Sequence, residues 1–297
     1  MKKYIILALF PFIFFCSCGR QTKQDKNQTS IEITDYHNRK VQIKKDLHTI
    51  VSLSPGITEL IFDLQSGDKL IGRTNYCTYP PQVQNITSIG GIADANVEKI
   101  VSLHPDVVIA SSMLSKSKLE QIERAGIAII SLPERTTVEG VFQTIAILGR
   151  ILDREVLSTK IIADMKQRIE AITKRNSDNK QTKRPKVYYV VGFGAGGDFS
   201  AGANTYIDDI LTLAGGDNIA KSSVNWSFSR EELFAKNPDF IFIRKEDYNQ
   251  FIHTKPYSTL AAVRNHKVFP VDSRLMDCQT ARSVRMIETI SDIIHTK

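Results

Sequence analysis

Gly192-Phe193-Gly194-Ala195-Gly196-Gly197 fits the spacing G-x-G-x-x-G, with an acidic residue, Asp217, twenty positions beyond the last glycine. Such glycines let a backbone turn closely around a pyrophosphate, provided that they open a helix whose N-terminus meets the phosphates. Here Asp198-Phe199-Ser200-Ala201-Gly202 prolongs the loop, and helical spacing begins only near Asn204. The nucleotide reading lacks its structural context. Metal capture needs converging imidazoles, thiolates or carboxylates. The six histidines, at positions 37, 48, 104, 253, 266 and 295, fall on predicted turns, helix ends or the terminus, and none shows ligand spacing. Nucleophilic catalysis has no G-x-S-x-G or H-E-x-x-H to start from. Ser52 and Ser54 flank a predicted strand end, where a cleft residue sits, although most serines in such places only form turns. No catalytic residue, metal site or cofactor is predicted.

The N-terminus carries chemistry of another kind. Lys2 and Lys3 precede an apolar run from Tyr4 to Phe15, followed by Cys16-Ser17-Cys18-Gly19. A basic start and a 12-residue apolar stretch read as an export signal, too short to span a bilayer. Phe15-Cys16-Ser17-Cys18 resembles a bacterial lipobox, which implies removal of residues 1–17 and acylation of Cys18. Residues 18–30 then read as a flexible tether, polar and almost free of apolar side chains. The expected location is the bacterial cell envelope, facing the periplasm and anchored through lipid. Loss of Lys2 and Lys3 takes the formal charge from +7 to +5. The remaining basicity is spread out, densest from Lys174 to Lys186, and reads as a solvated linker. A nucleic-acid partner would need a clustered stripe and is not expected. Cys77 and Cys278 fall in different halves of the chain and read as free thiols, since a bridge needs close Cα atoms.

Two copies of one α/β unit must position whatever site exists. Asn96-Val97-Glu98-Lys99-Ile100 leads to His104-Pro105-Asp106-Val107-Val108-Ile109, and 133 positions later Ser229-Arg230-Glu231-Glu232-Leu233 leads to Asn237-Pro238-Asp239-Phe240-Ile241-Phe242. Each reads as an N-cap, a short helix, a Pro-Asp turn and a buried strand. Glu59 to Asp68 likewise matches Asp208 to Asp217 at an offset of 149. The fold expected is α/β, with two similar Rossmann-like lobes over 31–136 and 186–297 and a cleft between them. Residues 137–175 read as connecting helices. The second of these, over 153–175, has apolar residues at Val156, Leu157, Ile161, Met165, Ile169 and Ile172, and makes a long backbone helix. Residues 176–185 read as a polar linker.

Several of these segments, taken together and in order, resemble one family. Ile50-Val51-Ser52-Leu53-Ser54-Pro55, Tyr76-Cys77-Thr78-Tyr79-Pro80-Pro81, Ile89-Gly90-Gly91 and Asn96-Val97-Glu98 carry the likeness in the first half. Leu213-Ala214-Gly215-Gly216-Asp217-Asn218-Ile219 and Lys267-Val268-Phe269-Pro270-Val271-Asp272 carry it in the second. The chain is similar to the helical-backbone periplasmic binding proteins of ABC importers for cobalamin, ferric siderophores and haem, and most to the cobalamin binders.

The resemblance implies a corrinoid ligand, with haem or a ferric siderophore as the alternative, and no enzymatic activity. Tyr76 would wall the ligand on the first lobe and Trp226 on the second, with Ser54, Arg244 and Arg274 contacting polar groups. Arg244 reads equally as a rim ion pair or as a ligand contact. Glu98 and Glu231, each the second residue of its short helix, would meet arginines on an ABC importer permease dimer. Glu232, three residues after Ser229, reads instead as the partner in a capping box. An exported two-lobed enzyme, such as a metal chelatase, is the competing class.

Overall fold

The computed structural model describes residues 29–178 and 183–296. The export signal, Cys18 and most of the tether lie outside them. The chain enters through an antiparallel hairpin, β1 (Ser30–Thr34) and β2 (Lys40–Lys44), with Ile31 opposite Ile43 and Ile33 opposite Val41. Asp35 fixes the turn by accepting from the backbone of His37 and Arg39 and from the Arg39 guanidinium.

Alternating strands and helices follow: β3 (Ile50–Ser52), α1 (Pro55–Asp63), β4 (Leu70–Arg73), β5 (Thr87–Ser88), α2 (Val97–Ser102), β6 (Val107–Ser111), α3 (Lys116–Arg124) and β7 (Ala128–Leu132). The five strands pair in parallel in the order β5-β4-β3-β6-β7. Helices on both faces explain why β6 is a continuous apolar run, buried at every position.

The second lobe repeats the plan with β8 (Lys186–Val190), α6 (Tyr206–Leu213), β9 (Asp217–Asn218), α7 (Arg230–Lys236), β10 (Phe240–Arg244), α8 (Tyr248–His253), α9 (Ala261–Arg264) and β11 (Val268–Val271). Its strands run parallel in the order β11-β10-β8-β9. Asn96 and Ser229 cap α2 and α7, each accepting from the backbone N–H three residues on. Two further helices follow, the short α10 (Ser273–Asp277) and the 14-residue α11 (Ser283–Thr296).

Between the lobes, α4 (Val138–Ile151) and α5 (Glu155–Asp178) form an antiparallel pair. They approach closely at Gly149, where any Cβ would collide with Ser158. Only Ser158, Met165 and Ile172 of α5 are fully buried, and ion pairs to α11 flank this apolar contact. Arg168 grips Glu288 through two bonds of 2.8 Å, and Arg175 pairs with Asp292 at 2.8 Å. Two expectations are corrected here. Val156 is 88% exposed, outside the helical stripe, because α5 starts at Glu155 and its buried face begins at Ser158. The polar run from Asn176 is helical through Asp178, because Asn176 donates to the Ala214 carbonyl and accepts from Ser291, each at 2.9 Å.

The lobes touch through polar contacts. Arg135 and Gln279 exchange two bonds of 2.8 Å, and Asp209 accepts from the Val138 backbone at 2.7 Å. Arg282 makes a bidentate pair with Glu59 of α1 at 2.5 Å and stacks 3.6 Å above the Tyr79 ring.

Candidate functional site

The C-terminal ends of the strands in both sheets converge on one cleft between the lobes, where ligands bind in open parallel sheets. Its first chamber, about 1200 Å³ counted to its mouth, is lined by Ser54, Tyr76, Met113, Arg274 and Arg282, among others. The second, about 920 Å³, takes in Trp226, Arg244 and Tyr206. Glu134, Asp277 and Gln279 line both, so the chambers adjoin along these three residues.

Tyr76 is 63% exposed and projects from the loop between β4 and β5. The backbone beneath it is rigid. The buried Cys77 thiol lies 3.2 Å from both the Thr58 and Thr74 hydroxyls, and Arg73 donates to the carbonyls of Val83 and Thr74. Trp226 is 47% exposed and has φ of +67°, a conformation that few side chains other than glycine adopt. It is held by bridges from Ser227 to Phe199 and Val224, and its carbonyl accepts from Ser200 at 2.8 Å. Neither aromatic belongs to a core cluster.

The two predicted arginines are both paired. Arg274 makes a bidentate bridge to Asp272 at 3.0 and 2.8 Å, which holds the Asp272 carboxyl below the usual carboxylate range. Arg244 lies 3.6 Å from Asp277. Ser54 precedes α1, but its hydroxyl makes no capping bond.

Sequence reasoning missed Glu134, Asp277, Gln279 and Arg282, which follow strand ends or sit between helices with no local pattern. Tyr79 was legible, as part of the Tyr-x-x-Tyr-Pro-Pro segment. Recession into the cleft strips water from Glu134 and Asp277 and raises both carboxyls. Burial also pushes the Cys278 thiol up to about 12, so it is a neutral thiol and no nucleophile. Cys77 and Cys278 are both free.

Glu98 and Glu231 lie away from these chambers, at matching second positions of α2 and α7, and both are exposed. Ser229 donates to Glu231 at 2.7 Å, which lowers the Glu231 carboxyl. The capping box is only half formed. Ser229 caps the Glu232 N–H, but the Glu232 carboxylate turns to Lys236 and Ser222, each at 2.6 Å, because both donors lie within its reach.

The glycine segment is a strap. Gly194 and Gly197 have φ of +110° and +108°, and α6 starts only at Tyr206. Asp198, 5% exposed, accepts from Tyr257, from Arg230 at 3.1 Å and from the Gly194 backbone at 3.3 Å. Among the described residues no group of three or more His, Cys, Asp or Glu side chains is placed to hold a metal. Nor is any helix among them long and apolar enough to cross a membrane.

Residues 50–275 match the periplasmic binding protein family, and the chain belongs to it. The likeness to importer binding proteins read from the motifs is thereby borne out. An ABC transporter substrate-binding lipoprotein of Bacillus subtilis, YvrC, is 27% identical over 299 residues, covering 97% of this chain and 95% of its own. A vitamin B12-binding protein of Vibrio campbellii is 25% identical, covering 83% of this chain and 89% of its own. Among solved structures, a periplasmic haem-binding protein of Pseudomonas aeruginosa superimposes with a TM-score of 0.78 at 22% identity, covering 85% of this chain and 94% of that one.

Proposed function

We propose that this chain is an exported substrate-binding protein, anchored through Cys18, that delivers a corrinoid to an ABC importer. One observation carries the reading: Tyr76 and Trp226 stand exposed on opposite lobes of a single interlobe cleft. Exposed aromatics on the two walls of such a space suit a flat macrocycle, which they hold through area and stacking without demanding one rotation. The charge of the cleft supports the choice among macrocycles. Arg135, Arg244, Arg274 and Arg282 stand against Glu59, Glu134, Asp272 and Asp277, and three of these arginines are already paired. A near-neutral cleft favours a neutral, amide-bearing corrin over a dianionic haem.

The lobes over 31–136 and 186–297 would hold the ligand between them with little relative motion across α5, and Ser54 would contact its polar rim. Glu98 and Glu231 would engage one permease subunit each, their charge favoured by the helix dipoles behind them. Titration of the purified protein with cyanocobalamin, hemin and a ferric catecholate, followed by absorbance and native mass spectrometry, tests the ligand. Saturable binding of cyanocobalamin alone is the expected result; binding of hemin alone refutes the corrinoid reading. Glu98→Lys with Glu231→Lys abolishes uptake at unchanged ligand affinity, and normal uptake by that variant removes the docking role.

A second reading, haem, draws on Arg244 and Arg274, which would grip its propionates. Arg244 is engaged by Asp277. On the haem reading, Asp277→Asn frees it and strengthens hemin binding about tenfold. On the corrinoid reading the same change leaves cyanocobalamin affinity within about twofold.

A further inference from the structure

The basic run near Lys186, read from sequence as a solvated linker, is gathered by the fold into a built surface. A groove of about 1130 Å³ at the outer end of the second sheet is lined by Lys183, Arg184, Lys186, Lys236, Lys267 and Asp239. These come from distant parts of the chain: the segment before β8, the first residue of β8, the last of α7 and the residue before β11. Lys186 donates to the Lys236 carbonyl at 2.8 Å, and the Lys267 ammonium lies 4.7 Å over the Phe240 ring. Asp239 accepts the Lys186 backbone N–H at 2.8 Å. Lys236 is matched by Glu232 at 2.6 Å. Among the described residues Lys183, Arg184, Lys186 and Lys267 form no ion pair. Five cations against two carboxylates leave three positive charges uncompensated on one face.

We propose that this face docks on an anionic phospholipid membrane. It lies at the N-terminal ends of the strands, whereas the cleft lies at their C-terminal ends. The first lobe is entered at the corresponding edge, since the Thr29 carbonyl accepts from Lys45, and Asp106, just before β6, accepts from His48 and Thr49. Thr29 lies eleven positions beyond Cys18, and eleven residue steps reach at most about 40 Å. The inference rests on the lipid-anchor reading for its choice of partner. An anchor on so short a tether keeps the entry edge near the bilayer, where a lattice of phosphodiesters complements the cations. Seated this way, the protein opens its cleft to the solution, and Glu98 and Glu231, at the N-termini of α2 and α7 on the cleft side of the sheets, point away from the bilayer.

The test uses the unlipidated Cys18→Ala chain with vesicles of equal parts phosphatidylglycerol and phosphatidylcholine, or of phosphatidylcholine alone. Binding to the anionic vesicles is expected to be about a hundredfold tighter at roughly 0.05 M salt, and to disappear near 0.5 M. Lys183→Glu with Arg184→Glu and Lys267→Glu abolishes that preference, while circular dichroism and cyanocobalamin affinity stay unchanged. A control reversal on α3, at Lys116, Lys118 and Arg124, retains it. Equal binding to both vesicles, or equal loss in the α3 control, overturns the proposal. So does displacement by millimolar glycerol phosphate, about the level at which a small-anion site would fill. Failure of cyanocobalamin to bind while the vesicle preference persists would overturn the ligand reading alone.

Discussion

Tyr76 and Trp226 face the cleft from opposite lobes, yet the loops beneath them are fixed by different chemistry. In the first lobe the loop rests on a thiol buried between two hydroxyls and on Arg73, whose guanidinium satisfies backbone carbonyls. Those contacts divide between a neutral thiol and a buried guanidinium, and no carboxylate takes part. In the second lobe a buried carboxylate, Asp198, gathers the glycine strap, Tyr257 and Arg230, while its own carbonyl accepts from Phe228, two residues past Trp226. A buried charge is stable only while its partners remain; Arg73 shares the first loop with Cys77, whereas Asp198 alone ties three segments of the second. Duplication of a fold thus fixes where a wall stands without fixing how it is supported.

The largest expected effect comes from removing both walls. Loss of one stacked aromatic weakens binding by about 1.4–2.8 kcal/mol, or about ten- to a hundredfold, and Tyr76→Ala with Trp226→Ala lowers affinity by the product of the two. Calorimetry on the single and double variants measures it, and unchanged affinity moves the site elsewhere. Next comes the support. Asp198→Ala strands the Tyr257 hydroxyl and the Arg230 guanidinium, so Tm falls by several degrees and affinity falls with it. Cys77→Ala in the first lobe shifts Tm less, and an equal or larger shift there would erase the contrast between the lobes.

The smallest effect is a pH dependence in α1. Burial, with the Glu59 charge second, pushes the Asp63 carboxyl up to about 6 from 3.8. The folded state therefore holds this proton more tightly than the unfolded chain. The stability it contributes is full below about pH 4 and is lost as pH rises to about 6. Asp63→Asn removes that slope, matching the parent at pH 4 and exceeding it by about 1–2 kcal/mol at pH 7.5. Chemical denaturation at the two pH values decides it, and parallel behaviour of the two proteins would show that Asp63 ionises normally.

Most of the fold was legible because its causes are local. The caps Asn96 and Ser229, the Pro-Asp turns and the fully buried strands sit within a few residues of what they determine. The continuation of α5 to Asp178 was not, since Asn176 is held by Ala214 and Ser291, 38 and 115 residues away. The same limit divides the site. Tyr76 and Trp226 stand in recognisable segments, but Glu134, Asp277 and Gln279 acquire a role only where two lobes meet. The pairing of Arg274 with Asp272 spans two residues and was open to reading; that of Arg282 with Glu59 spans 223 and was not.

Asn96 and Ser229 seat Glu98 and Glu231 at matching helix positions on two jaws joined by a pair of helices. A partner that grasps both carboxylates measures a span, as calipers do. Any change in the angle between the jaws alters that reading, so an occupied cleft can be gauged from outside without being touched.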